Sequence, residues 1–145
     1  METQYMVAIS DAPDFKSLPA VQTMNNFISL LQEGNIDEAK GLLSDDIVMT
    51  LRGKSLISGE HKTPNGVIAL LKKMSDLSNG THKIVGTLAW MVHENHIHTV
   101  VAETAVRNGK AFTYNRALVF EVLNGKITMG QSFEDDQYAF DEFWS

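Results

Sequence analysis

Three charged side chains sit on the apolar sides of consecutive strand-like segments, and their types suit acid–base chemistry. Along 99–107 the alternation of strand side chains puts Val101, Glu103 and Ala105 on one side. In the next segment it groups Tyr114, Arg116, Leu118 and Phe120, and after Gly125 it groups Gly130, Ser132 and Glu134. If these sides face one hollow, Glu103, Glu134 and Arg116 meet among apolar neighbours, with the Tyr114 phenol beside them. A buried charge is costly unless paired, so such a cluster is either a paired structural network or a working site. As a site it splits two carboxylates. The one near Arg116 is held ionised, while the other, beside Leu118 and Phe120, is raised by desolvation. That division supplies an acid and a base at one pH, an effect worth about 10²–10⁴-fold in rate. As structure, cross-strand charge pairs contribute roughly 0.2–1 kcal/mol with no chemistry at all. A slip of one residue in register would also turn Glu103 and Arg116 to solvent.

Other polar clusters read more plainly. His93, His96 and His98 include an i, i+2 pair of the kind that ligates metals, but they straddle a hairpin turn and no third ligand is spaced to help. No metal and no cofactor is expected. His61 and His82 lie at loop or strand-edge positions and say little. Asp45-Asp46 reads as a helix stop, and Asp135 or Asp136 as the N-cap of a terminal helix whose solvated face carries Asp141 and Glu142. Tyr138, Phe140, Phe143 and Trp144 either lid a pocket or staple that helix to the sheet. Met24, Met74, Met91 and Met129 read as core.

The elements that position these residues are helical first and strand-rich later. Residues 1–18 read as an irregular arm, and 19–145 as a single domain. Val21, Met24, Phe27, Ile28 and Leu31 recur at helical spacing up to Gly34. Asn35 with Glu38 resembles a capping box for a second short helix burying Ile36, Ala39, Leu42 and Leu43. A short strand follows over 47–51, then a loop over 52–60. Thr63-Pro64 opens a helix whose buried stripe is Val67, Ile68, Leu70, Leu71 and Met74. Strands are expected over 82–93, 97–107, 111–122 and 127–134, with Asn108-Gly109 and Asn124-Gly125 as type I′ turns. Helices before a meander predict an α+β fold, a curved antiparallel sheet wrapped around three to four helices.

Composition narrows the function classes. The chain has 145 residues, 43% of them hydrophobic, which allows one domain with a substantial core. A net charge of −6 and the lack of basic runs argue against nucleic acid as a partner. There is no cysteine, hence no thiol nucleophile or disulfide. The N-terminus lacks a basic region followed by a long apolar run, and no stretch matches a membrane span, so a cytoplasmic protein without membrane contact is expected. The loop between Gly53 and Gly59 lacks the spacing of a phosphate-binding loop.

The order of elements, with Leu42-Leu43-Ser44-Asp45-Asp46-Ile47-Val48, Gly59-Glu60, Arg107-Asn108-Gly109 and 119–127 at their spacings, resembles the nuclear transport factor 2-like superfamily. SnoaL-like cyclases, ketosteroid isomerase and limonene epoxide hydrolase belong to the same group. The resemblance spans residues 20–143 and implies a cystatin-like cone whose open end admits a small, mostly apolar metabolite. It also implies a homodimer through the outer sheet face, where Ala102, Thr104, Val106, Ala117 and Val119 are small or β-branched. The isomerase chemistry does not carry over. Its general-base aspartate falls on Leu51, its oxyanion tyrosine on Phe27 and its oxyanion aspartic acid on Leu118, none of which can move a proton. The paired acids and arginine are similar in spirit to the epoxide hydrolase, but here the arginine sits on a different strand and the acids are glutamates, so no residue carries over one by one. Glu103, Arg116 and Glu134 are thus the expected catalytic residues, and Phe27, Leu51, Trp90, Val101, Tyr114, Leu118, Phe120 and Ser132 the expected pocket. The function expected is a cofactor-free lyase, isomerase or hydrolase for a small molecule. The alternative is a non-catalytic ligand-binding or dimerisation module of the same fold.

Overall fold

Proline at its first turn and apolar residues at i, i+3 and i+4 make α1 (Pro19–Gln32) a helix that buries Ala20, Val21, Met24 and Phe27. Gly34, at φ 79°, ends it: the Gly34 and Asn35 N–H groups reach back to the carbonyls of Leu31 and Leu30. The computed structural model describes residues 17–145, so the arm expected at 1–18 lies almost wholly outside the described residues. Next come α2 (Ile36–Lys40), β1 (Leu43–Leu51), β2 (Gly59–Lys62), α3 (Thr63–Leu77) and β3 (Lys83–His93). The chain closes with β4 (His96–Arg107), β5 (Lys110–Leu123), β6 (Lys126–Glu134) and α4 (Gln137–Phe143). Among the described residues no helix is long and apolar enough to cross a membrane.

The six strands form one sheet in the order β2-β1-β6-β5-β4-β3. Asn108-Gly109 and Asn124-Gly125 carry the paired positive φ values of type I′ turns, 52° and 76°, then 51° and 75°. The first turn sets Glu103 opposite Tyr114, and the second, with a one-residue register shift between Glu121 and Val122, sets Arg116 opposite Glu134. Gly130 lets the sheet close tightly: a Cβ there would come within 2.9 Å of Met49 Cε and 3.2 Å of Phe120 Cε1. Two hydrophobic clusters fill the concave side. One gathers Met24, Phe27, Leu43, Ile47, Val67, Ile97, Val122 and Ile127. The other gathers Leu51, Ile57, Leu70, Met74, Tyr114, Phe140 and Trp144.

Several local expectations need correction. The sheet is not wholly antiparallel, because β1 runs parallel to β6, from Leu43 beside Ile127 to Leu51 beside Ser132. Asp45-Asp46 does not precede that strand but lies within it, both side chains exposed on its outward turn. β2, four polar residues at the sheet edge, was expected to be part loop. The capping box is absent: Asn35 makes no side-chain cap, its amide donating instead to Glu33, and Ile36 is 39% exposed. Met91 is exposed rather than core, on the outer face opposite His98.

The C-terminal helix is a staple. Asp136 accepts the Ala139 N–H at 3.0 Å as its N-cap. Phe140 and Trp144 are buried at 1% and 0% exposure, while Tyr138 points to solvent. Arg107 Nη1 donates to the carbonyls of Phe143 and Ser145 and holds the far end. Replacing Asp136 with Ala should lower the unfolding free energy by about 1 kcal/mol, read from the urea midpoint at unchanged slope.

Candidate functional site

A carboxylate with three donors stands at the polar end of the concave face. Glu103, on the inward side of β4 and 2% exposed, accepts hydrogen bonds at Oε1 from Tyr114 Oη (3.0 Å) and Arg116 Nη1 (3.3 Å). Its Oε2 lies 3.2 Å from the same Nη1. Arg116 Nε donates to Glu134 Oε1 at 2.7 Å, and the guanidinium lies 5.3 Å over the Phe140 ring. One guanidinium therefore bridges two buried carboxylates.

His82 completes the cluster, its Nε2 lying 2.8 Å from Glu103 Oε1. An ionised carboxylate only accepts, so Nε2 carries the proton in this bond and, in the neutral ring, Nδ1 carries the lone pair. The backbone holds the ring in place. Ser78, fully buried at the end of α3, accepts the His82 N–H (3.1 Å) and donates to the Met74 carbonyl (2.8 Å). Thr81 Oγ1 donates to the Ser78 carbonyl (2.6 Å) and accepts the Val106 N–H (2.8 Å). Thus the loop carrying His82 is bolted to the strand carrying Glu103. Trp144 meets the imidazole edge-on at 5.9 Å.

Burial alone would raise the Glu103 carboxyl, but Arg116 and the bonds from His82 and Tyr114 outweigh it and hold the carboxyl below its usual range. Burial, with the Glu103 charge beside it, holds the Tyr114 phenol well above its ordinary range. Burial would lower Arg116, yet the two carboxylates raise it above its ordinary value. The resting charges are thus an ionised Glu103, a neutral Tyr114 and a cationic Arg116.

His82, Glu103 and Arg116 border a cavity of about 180 Å³ between the two hydrophobic clusters. Roughly 150 Å³ suffices to bind benzene. His82, Glu103, Arg116 and Ser132 supply polar atoms to a wall that is otherwise mainly apolar: Phe27, Leu51, Leu70, Trp90, Leu118 and Phe120 are among its members. Ile84, 49% exposed, stands at the rim.

Solved structures share this architecture. Bal32a, from a soil-derived mobile gene cassette, superposes with a TM-score of 0.80 at 26% identity, over 88% of this chain and 97% of that one. An NTF2-like protein from Burkholderia xenovorans LB400 matches with a TM-score of 0.74 at 19% identity, over 88% and 96%. The chain has the NTF2-like fold. A more distant match, with a TM-score of 0.61 at 18% identity over 87% and 91%, is an LEH-like epoxide hydrolase from M. tuberculosis. No protein-family model matches the chain, and no curated protein sequence does.

Within the NTF2-like cone the three positions that would carry the isomerase chemistry, Phe27, Leu51 and Leu118, all line the cavity as apolar wall. Of the expected pocket residues, Trp90, Phe120 and Ser132 line it too. Val101 and Tyr114 do not. Val101 is buried on the same face between Thr99 and Glu103, outside the cavity lining. Tyr114 lies behind Glu103, stacked on Phe112 at 4.9 Å and meeting Phe140 edge-on at 5.3 Å. Glu134 also lies outside the lining, its side chain 1% exposed behind Arg116.

His82 is the member of this cluster that the sequence hid. A bulge-free β3–β4 hairpin would set Gly86 opposite Glu103, but two register shifts put Ile84 there and draw His82 alongside. The other histidines stay apart. His96 and His98 flank the inward, fully buried Ile97, and His96 Nε2 lies 3.4 Å from Glu121 Oε2. Among the described residues no three His, Asp or Glu side chains are grouped to hold a metal ion.

Glu103→Gln should destabilise the fold at pH 7, but by less than the ~3–5 kcal/mol of an uncompensated buried charge, since Arg116 keeps its pair with Glu134. A carboxyl held low in the folded state contributes stability above its unfolded pKa of about 4.3 and loses it as pH falls through the lower folded value. Urea unfolding from pH 7 to pH 3 should therefore show a shallower acid limb in the variant than in the parent protein.

Proposed function

We propose that this chain is a small-molecule enzyme that moves a proton on an apolar substrate, with His82 as the group that meets the substrate. The observation carrying this reading is the 2.8 Å contact between His82 and the thrice-bonded Glu103 at the edge of an apolar cavity. A fixed carboxylate selects one tautomer of the ring and stabilises the imidazolium that forms when Nδ1 takes a proton. The roles first expected of the acids shift accordingly. Glu103 is the orienting partner, Arg116 keeps it ionised, and Glu134 anchors Arg116 from behind. Two carboxylates facing one water, as an epoxide-hydrolysing arrangement of two acids requires, are not found here, because Glu134 is outside the cavity lining. Isomerase or lyase chemistry is favoured over hydrolysis.

Deuterium incorporation at the carbon next to the carbonyl of 2-tetralone, followed by proton NMR in buffered D₂O, tests the proposal. The protein should accelerate exchange over buffer, and His82→Ala should lower that acceleration by about 10²-fold or more. A parent protein no faster than buffer would favour the non-catalytic alternative, for which the mainly apolar wall is the supporting observation.

The outer sheet face supports a homodimer. Rows Met91–His98–Val119 and Ala89–Val100–Ala117–Phe133 run across it, with Val106 38% and Phe133 39% exposed. Such an apolar face is a liability in a monomer. Sedimentation equilibrium at micromolar concentration should return twice the 16.1 kDa chain mass, and Val119→Lys should return the monomer.

A further inference from the structure

The cavity holds a hydroxyl with nothing to bind. Ser132 is 2% exposed and lines the cavity, yet its Oγ has no hydrogen-bond partner. A buried hydroxyl left unpaired costs free energy that a ligand atom can recover. Parallel pairing sets Ser132 beside Leu51, and antiparallel pairing sets it opposite Leu118, so apolar side chains flank it on both neighbouring strands. Its diagonal neighbour on the same face is Arg116, one same-face step from the Leu118 opposite Ser132. A guanidinium has donors and no acceptor. Arg116 uses Nε for Glu134 and Nη1 for Glu103, and no bond among the described residues uses Nη2. The carboxylate in the cavity lining, Glu103, is already engaged by His82, Tyr114 and Arg116. At this end of the wall the two groups without a partner among the described residues, Ser132 Oγ and Arg116 Nη2, can both donate a hydrogen bond.

We infer that Ser132, supported by Arg116, is a subsite for one hydrogen-bond-accepting oxygen, so that the ligand is an apolar molecule bearing a carbonyl-type oxygen. A bare hydrocarbon would leave the Ser132 hydroxyl unpaired. A polyhydroxylated compound would bring several hydroxyls to a wall that is mainly apolar. The inference deepens the proton-transfer reading, since an oxygen held at Ser132 places the adjoining carbon in the cavity that His82 borders.

Binding of 1-tetralone and of tetralin, the same bicycle without the oxygen, tests this by amide-shift NMR titration. The ketone should bind the parent protein about tenfold more tightly. Ser132→Ala should reduce that preference to about twofold or less while leaving tetralin affinity and the urea midpoint unchanged, because the lost hydroxyl had no partner in the protein. Ser132→Cys, which keeps the size and weakens the donor, should fall between. Equal affinities in the parent protein, or a tenfold preference that survives in both variants, would overturn the subsite. Binding of neither compound would overturn the subsite and the cavity's role as a ligand site together. The titration does not depend on turnover, so a preference that persists where His82 exchange fails upholds the subsite and removes only the proton-transfer reading.

Discussion

Arg116 lies between two carboxylates beneath the wall of an apolar cavity, and the arrangement of everything around it follows from that pairing. Glu103 and Glu134 are each nearly sealed from water, so each needs the guanidinium, and the guanidinium needs both. The three side chains come from β4, β5 and β6, and only a register held by two Asn-Gly turns and the shift between Glu121 and Val122 brings them within reach. The trio carries one negative charge in excess. Tyr114 and His82 donate toward the Glu103 end of it, and the Phe140 face covers the cation from outside the sheet strands. The C-terminal helix, tied down by Asp136 and Arg107, is what keeps that face in position.

This division of labour keeps part of the network out of the ligand space. Tyr114 and Glu134 lie behind the cavity, and the buried network meets the interior through His82, Glu103 and Arg116. Because Glu103 stays ionised and is already engaged, it is suited to steer a neighbouring ring rather than to take up a proton itself. The apolar replacements at Phe27, Leu51 and Leu118 make the remaining wall a shape-reading surface.

Much of the strand half was legible because its determinants are local. Asn-Gly pairs define tight turns, alternation defines faces, and Glu103, Arg116, Ser132 and Glu134 all fall inward as their parity requires. The helices at 19–32 and 63–77 were legible from their apolar spacing and from proline at the first turn. What escaped depends on contacts distant in sequence or on interruptions of the ladder. The parallel pairing of β1 with β6 leaves no local signature, and β2 is too short and polar to show alternation. His82 became a neighbour of Glu103 only through two bulges, which residue counting from the hairpin tip does not register. Depth behind the inward face was equally hidden: parity placed Tyr114 and Glu134 inside, but the larger side chains in front decide which atoms reach the hollow.

The parallel partnership of β1 and β6 also bears on how the chain acquires its shape. The meander from β4 to β6 assembles from hairpins whose strands are joined by two residues, whereas Leu51 must find Ser132 across most of the sequence. Closing so long a loop is entropically expensive before any contact rewards it, and non-local pairing is slow. The order of events that this topology favours is an early ribbon of three strands, onto which the N-terminal half docks late, so that the hollow exists only once the last seam is sealed.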